Sequence, residues 1–97
     1  MDLTGKQVLV AGLGKSGIAA GALLKKMGCM VCLFDGNEKF DRSAWEKTYP
    51  VFSDCPLWIG ELPDAAVQAM ELAVVSPGIP LDTPAILKLQ AAGVPVV

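Results

Sequence analysis

The residues Gly12-Leu13-Gly14-Lys15-Ser16-Gly17 spell G-x-G-x-x-G, a spacing suited to holding a phosphate or pyrophosphate on backbone N–H groups. The first glycine permits a tight turn, the second lets a ligand approach the backbone, and the third allows a helix to pack close on a sheet. A helix opening here presents first-turn N–H groups that lack intrahelical partners, and these face the anion. Gly14-Lys15-Ser16 also looks like the end of a triphosphate loop, G-x-x-x-x-G-K-[ST]. That pattern needs its first glycine at the position of Leu9, so no kinase-type ATP site follows. Asp35 stands 18 residues past Gly17, where dinucleotide folds place a carboxylate that accepts hydrogen bonds from a ribose. Gly36 and Asn37 behind it are turn residues. Ser76-Pro77-Gly78 is a third polar turn: Pro77 holds Ser76 extended, and Gly78 is free to take a positive φ and offer its N–H.

Other chemistries are excluded by composition. The chain has no histidine, so a Ser-His-Asp triad, a Cys-His pair and most zinc sites cannot form within it. Cys29, Cys32 and Cys55 are an odd set for a disulfide framework. Cys29 and Cys32 spell C-x-x-C, but residues three apart in an extended run point to opposite faces, so these are read as small buried hydrophobes. Trp45 and Trp58 are read as packing residues, and the mixed charges from Glu38 to Lys47 as a solvated face.

The elements that position the three polar turns follow from the apolar pattern. Lys6–Ala11 is a nearly continuous apolar run ending at Gly12, as in a central strand of a parallel sheet. From Ser16, the residues Ile18, Ala19, Ala22, Leu23 and Met27 recur at helical spacing, with Lys25 and Lys26 in the last turn and Gly28 as the stop. Met30–Phe34 is a second buried strand. Glu38–Cys55 is the least legible stretch, with a short helix capped by Ser43 and closed by Pro50. Leu57–Ile59 and Leu72–Val75 read as further strands around a helix from Ala65 to Met70. Thr83-Pro84 opens a last helix with Ala85, Ile86, Leu89 and Ala92 facing inward, ending at Gly93. Val94–Val97 reads as a fifth strand, placed at an edge by Pro95.

Alternation of strand and helix implies βαβ units with right-handed crossovers. The expected fold is α/β, a Rossmann-like, doubly wound, open parallel sheet of five strands in the order 3-2-1-4-5, in a single domain. That order puts the fourth strand beside the first, so Ser76 lies across the switch-point crevice from the glycine loop, where open α/β sheets bind ligands. The 97 residues are 53% hydrophobic and 19% charged, which suits a small packed core and not a disordered segment. A net charge of -2 gives no basic stripe for nucleic acid. No apolar run approaches the ~18 residues of a membrane span. The start, Met1 to Lys6, has no secretory pattern, so a soluble cytoplasmic protein is expected.

Together, Gly5-Lys6 before Val8-Leu9-Val10-Ala11, the glycine run, Asp35, and Ser76-Pro77-Gly78-Ile79-Pro80 resemble the N-terminal domain of the Mur ligases, most closely their D-glutamate-adding branch. The resemblance runs from Gly5 to Val97 and is poor over Glu38 to Cys55. The alanine-adding branch typically shows a Gly-Gly pair inside the loop, where this chain has Lys15-Ser16. The resemblance implies that residues 1–97 are the N-terminal, UDP-substrate-binding part of a longer multidomain ligase. That enzyme joins D-glutamate to UDP-N-acetylmuramoyl-L-alanine through an acyl phosphate, in peptidoglycan precursor synthesis. Carried onto this sequence, Leu13, Gly14, Lys15 and Ser16 with Ser76, Pro77 and Gly78 surround the diphosphate region. Asp35 binds the uracil, with Gly36 and Asn37 beside it. It implies no catalytic residue, metal ligand or cofactor in this stretch, ATP and magnesium being used by the full-length enzyme. The rival from the residues alone is an NAD-binding module of an oxidoreductase or regulatory sensor, and a third reading is a ligand-free interaction domain.

Overall fold

The computed structural model describes residues 3–97, so the part of the Met1–Lys6 stretch formed by Met1 and Asp2 lies outside the described residues. β1 (Gln7–Ala11) has its last four residues fully buried, as a strand covered on both faces requires. It pairs in parallel with β2 (Met30–Asp35) on one side, Leu9 opposite Cys32 and Ala11 opposite Phe34. On the other side it pairs in parallel with β4 (Leu72–Val75), Leu9 opposite Ala73 and Ala11 opposite Val75. β3 (Leu57–Ile59) adds to the outer side of β2, giving the order β3-β2-β1-β4.

The fifth strand is the one correction to the expected sheet. Val94–Val97 does run beside β4, with one parallel bridge between Ala73 and Val96, but it does not form a strand. Its hydrogen bonds are the Ala73 N–H to the Pro95 carbonyl, the Val97 N–H to the Ala73 carbonyl and the Val75 N–H to the Val97 carbonyl, each 2.9 Å. Pro95 has no N–H with which to carry the ladder back toward Glu71. Among the described residues the sheet has four strands, with Val94–Val97 bridged to the edge of β4.

Alternate residues of the strands feed two cores. One face carries Leu9, Ala11, Cys32, Phe34 and Ala73, covered by α3 (Asp64–Ala69) and α4 (Pro84–Ala91) through Ala66, Val67, Ile86 and Leu89. The other carries Val8, Val10, Val31, Leu33 and Leu57, covered by α1 (Lys15–Lys26) and by Phe52 and Cys55. Cys32 packs in the first core and Cys29 against the second, so the C-x-x-C pair does divide between faces, and all three cysteines are free.

Four helix readings need correction. On α1 the buried residues are Gly17, Gly21 and Leu24, while Ala19, Leu23 and Met27 are exposed. Apolar periodicity missed this face because two of its members are glycines: a Cβ on Gly21 would sit 3.0 Å from the Phe52 ring, so α1 rides close on its support. The cap of α2 (Arg42–Thr48) is Asp41, whose Oδ1 accepts the Ala44 N–H at 3.1 Å; Ser43 lies inside the helix. Pro50 does not merely close α2 but opens a 3-10 turn, Pro50–Phe52, that delivers Phe52 to the core. On α4, Ile86 and Leu89 are buried as expected, but Ala92 is exposed.

Candidate functional site

Because all four strands are parallel, the chain leaves each of them at the same sheet edge. β1 stops at Gly12, whose φ of +90° only glycine adopts freely. A Cβ there would also meet Ile79 Cδ1 at 2.5 Å and Ser76 Oγ at 2.9 Å. Gly17 is required for a second reason: its Cβ would run into the Gly12 carbonyl. Gly14 caps α1 with no side-chain hydrogen bond, and a Cβ on it would meet nothing within 4 Å, leaving the backbone open to a ligand.

The other two turns are tied to this loop by hydrogen bonds. Ser76 Oγ donates to the Gly12 carbonyl at 3.0 Å, and the Ser76 N–H donates to the Ala11 carbonyl at 3.1 Å. Asp35 Oδ2 accepts the Leu13 N–H at 3.1 Å, and its Oδ1 accepts the Asn37 N–H at 2.9 Å. The Asp35 carbonyl accepts the Gly60 N–H at 2.8 Å, so one residue links the loops that follow β1, β2 and β3. Gly78 departs from expectation. It does not take a positive φ, although the Ile79 N–H closes a turn on the Ser76 carbonyl at 3.0 Å; such a turn is of the type that needs no glycine at this place.

These loops and the start of α4 enclose a cavity of about 810 Å³. Of the ten residues singled out in the sequence, Leu13, Gly14, Asp35, Gly36, Asn37, Ser76 and Gly78 line it. Lys15, Ser16 and Pro77 do not; Ser16 and Pro77 border a hollow of about 100 Å³ on the α1 side. The Leu13 side chain is buried in the core, so it offers the cavity backbone only. Sequence reasoning missed Glu61 and Leu62, Ile79 to Pro80, and the α4 face formed by Pro84, Ala85 and Lys88. Glu61 had a readable signal, since it follows a strand at the same edge. Lys88 had none, because which loops its side of α4 borders depends on tertiary packing.

Three charged side chains line the cavity: Asp35, Glu61 and Lys88. The Lys88 ammonium donates to the Leu62 carbonyl at 3.1 Å and lies 3.3 Å from Asp64 Oδ1 and 3.7 Å from Glu61 Oε1. A separate cluster, away from the cavity, joins Lys25 to Asp54 at 2.7 Å and to Cys55 Sγ at 3.7 Å. Burial pushes the Cys55 and Cys32 thiols up from their ordinary value, so neither is a poised nucleophile. Among the described residues no group of three His, Cys, Asp or Glu is placed to hold a metal ion, and no helix is long and apolar enough to cross a membrane.

The sequence matches the family described as Mur ligase MurD-like, N-terminal domain, over residues 6–97. A UDP-N-acetylmuramoylalanine--D-glutamate ligase of Lachnospira eligens is 43% identical over 98 residues, covering 99% of this chain and 21% of that relative. One of the same name from Caldicellulosiruptor saccharolyticus is 41% identical, covering 100% of this chain and 21% of its own length. The chain thus spans about a fifth of the curated relatives it matches. Among solved structures, the precorrin-2 dehydrogenase SirC has a TM-score of 0.62 at 14% identity, covering 99% of this chain and 45% of that one. A shikimate dehydrogenase from Aquifex aeolicus has a TM-score of 0.61 at 16% identity, covering 98% and 42%. At such identities the dehydrogenases share the fold alone.

Proposed function

The chain belongs to the MurD-like N-terminal domain family of the Mur ligases, and from that premise we propose that it anchors the UDP part of UDP-N-acetylmuramoyl-L-alanine for a longer enzyme. That enzyme is proposed to be the cytoplasmic, ATP-dependent ligase that joins D-glutamate to this substrate in cell-wall synthesis. Residues 1–97 are then its N-terminal domain, with central and C-terminal domains supplying the rest. The observation that carries the reading is the convergence of Gly14, Asp35 and Ser76 on one cavity, in a chain of this family.

The diphosphate is assigned to the uncapped N-terminus of α1 at Gly14, Lys15 and Ser16, where free N–H groups and the helix dipole favour an anion. Ser76 holds the loop to its shape through the Gly12 carbonyl, Gly78 lines the cavity beside it, and Pro77 keeps Ser76 extended between them. Asp35, with Gly36 and Asn37, is assigned to the uracil. Each carboxylate oxygen of Asp35 already accepts one backbone N–H, and each has a second lone pair for the ring N–H of the base. ATP does not fit the glycine loop, which is too short for a triphosphate, and magnesium is used together with ATP. Their sites are assigned to the other domains. This chain alone is expected to release no phosphate from ATP above a loop-mutated control.

Chemical-shift titration of the chain with UDP and with NAD tests the reading. Tighter binding of UDP, with shifts at Gly14, Asp35 and Ser76, is the expected result. Tighter binding of NAD, with shifts at Asp35 and none at Ser76 or Gly78, gives the site to a nicotinamide dinucleotide.

A further inference from the structure

Lys88 stands at the cavity held by one hydrogen bond, to the Leu62 carbonyl, and by two exposed carboxylates. Among the described residues lining the cavity it is the only cation, against the carboxylates of Asp35 and Glu61. Its stem is carried by α4 on the same helix face as Pro84 and Ala85, which also line the cavity. The side chain is 36% exposed, and its carboxylate partners Glu61 and Asp64 are 87% and 83% exposed. Ion pairs with such solvated groups are weak and readily exchanged. The cavity itself is walled by Phe34, Leu62, Ile79 and Pro80, a setting in which one charge acts over a longer reach than in water.

We infer that Lys88 is a specificity-determining residue, the cation that leaves Glu61 and Asp64 to balance the phosphate charge of a nucleoside diphosphate in this cavity. The inference rests on the uridine-nucleotide reading above and adds to it a residue on α4. The electrostatic need is plain: two carboxylates line the site, and a diphosphate brings further negative charge. The N-terminus of α1, with Lys15 as its first residue, offsets part of it from one side, and Lys88 offsets more from the α4 side. The four-carbon stem lets the ammonium move without displacing α4.

The test is a ligand series of rising charge, uridine, UMP and UDP, titrated against the chain and against Lys88→Met and Lys88→Arg. Methionine keeps the stem and removes the charge. For Lys88→Met, UDP affinity is expected to fall about 5- to 15-fold, between the effect of an exposed ion pair and that of a charge-assisted hydrogen bond. UMP should fall less, and uridine should change less than about twofold, which also reports that the variant is folded. Arginine should restore UDP binding, and added salt should narrow the gap between wild type and methionine. An equal loss for all three ligands makes Lys88 merely a structural tie between α4 and Leu62 and overturns the inference. An unchanged UDP affinity overturns it as well, while leaving the uridine-nucleotide reading intact. Failure of the unmodified chain to bind UDP overturns that reading and this inference together.

Discussion

The two faces of the sheet are closed in different ways. Under α1 the contact is made by glycines, with Gly17 against the Gly12 carbonyl and Gly21 against the Phe52 ring, so helix and sheet meet with only a hollow of about 100 Å³ at the edge. On the other face α4 starts only at Pro84, eight residues after the Ser76 turn begins, and a cavity of about 810 Å³ remains between its start and the glycine loop. The ends of β1 and β4 border both spaces. What decides between them is how each helix leaves its strand: α1 begins four residues beyond the end of β1, whereas α4 begins after a longer excursion. A tight βα turn makes an anion site at the helix end, and a loose one makes room for the remainder of a ligand.

The largest expected effect comes from breaking the closed face. Phe52 is 1% exposed and supports both Gly21 and Trp45, whose ring stacks on it at 5.3 Å between centroids. Phe52→Ala should cost about 3–5 kcal/mol in urea denaturation. In the fraction that stays folded, UDP affinity should remain within about twofold of wild type, since surface away from the change is usually indifferent to it. A large loss of affinity would mean that the open face depends on the closed one.

Gly17 and Gly78 give the next contrast, at the boundary between the faces. Gly17→Ala places a methyl on the Gly12 carbonyl and should destabilise by about 2 kcal/mol, overpacking outweighing the gain in helix propensity. It should also weaken UDP binding, because that carbonyl holds Ser76. Gly78→Ala meets nothing within 4 Å at an ordinary φ and should stay within about 0.5 kcal/mol of wild type. Parallel denaturation curves and UDP titrations read both.

How far the sequence revealed these features depends on whether the cause was local. Gly12, Gly28 and Gly93 were legible as turn or stop signals, and each takes a φ near +80° to +90°. The strands were legible because burial on both faces leaves long apolar runs. The inner face of α1 was not, since a glycine that permits contact counts as no hydrophobe. The edge position of Val94–Val97 beside β4 was legible from Pro95, whose missing N–H stops the pairing on its Glu71 side and leaves a single bridge. Asp35 and Ser76 were picked out for the cavity, yet their hydrogen bonds to Leu13, Asn37 and Gly12 were invisible, because partners across loops depend on register. Lys88 was invisible for the same reason.

Those hidden partners sharpen the third expectation. Asp35→Ala leaves the Leu13 and Asn37 N–H groups without their acceptor, so it should lower stability by about 1 kcal/mol as water takes over at this partly exposed site. It should also loosen the glycine loop, so that inorganic pyrophosphate as well as UDP binds less tightly. Asp35→Asn retains one acceptor oxygen and should fall between Ala and wild type in both measurements. Pyrophosphate binding unchanged in Asp35→Ala would confine Asp35 to the base and remove its role in holding the loop.

The smallest expected effect lies on the closed face, where Lys25 joins the end of α1 to the segment bearing Phe52. Its ammonium donates to Asp54 and to the Val51 carbonyl, both at 2.7 Å. The hydrogen bond from Lys25 holds the Asp54 carboxyl below its ordinary value of 3.8, and the same bond raises Lys25 above 10.5. A carboxylate with a depressed folded pKa stabilises above the unfolded value and loses that contribution as pH falls through the folded one. An ammonium with a raised pKa stabilises below the unfolded value and loses it as pH climbs through the folded one. The pair should therefore give a flat contribution across neutral pH, declining below about pH 4 and above about pH 10. Because Asp54 is solvated, the contribution is modest and screened by salt. Asp54→Asn should flatten the acid limb of the stability profile while leaving the cavity's affinity for UDP untouched. Lys25→Met should cost more than Asp54→Asn, since it also strands the Val51 carbonyl. Equal costs for the two variants would show that the tie to Val51 contributes nothing, and that Lys25 acts through Asp54 alone.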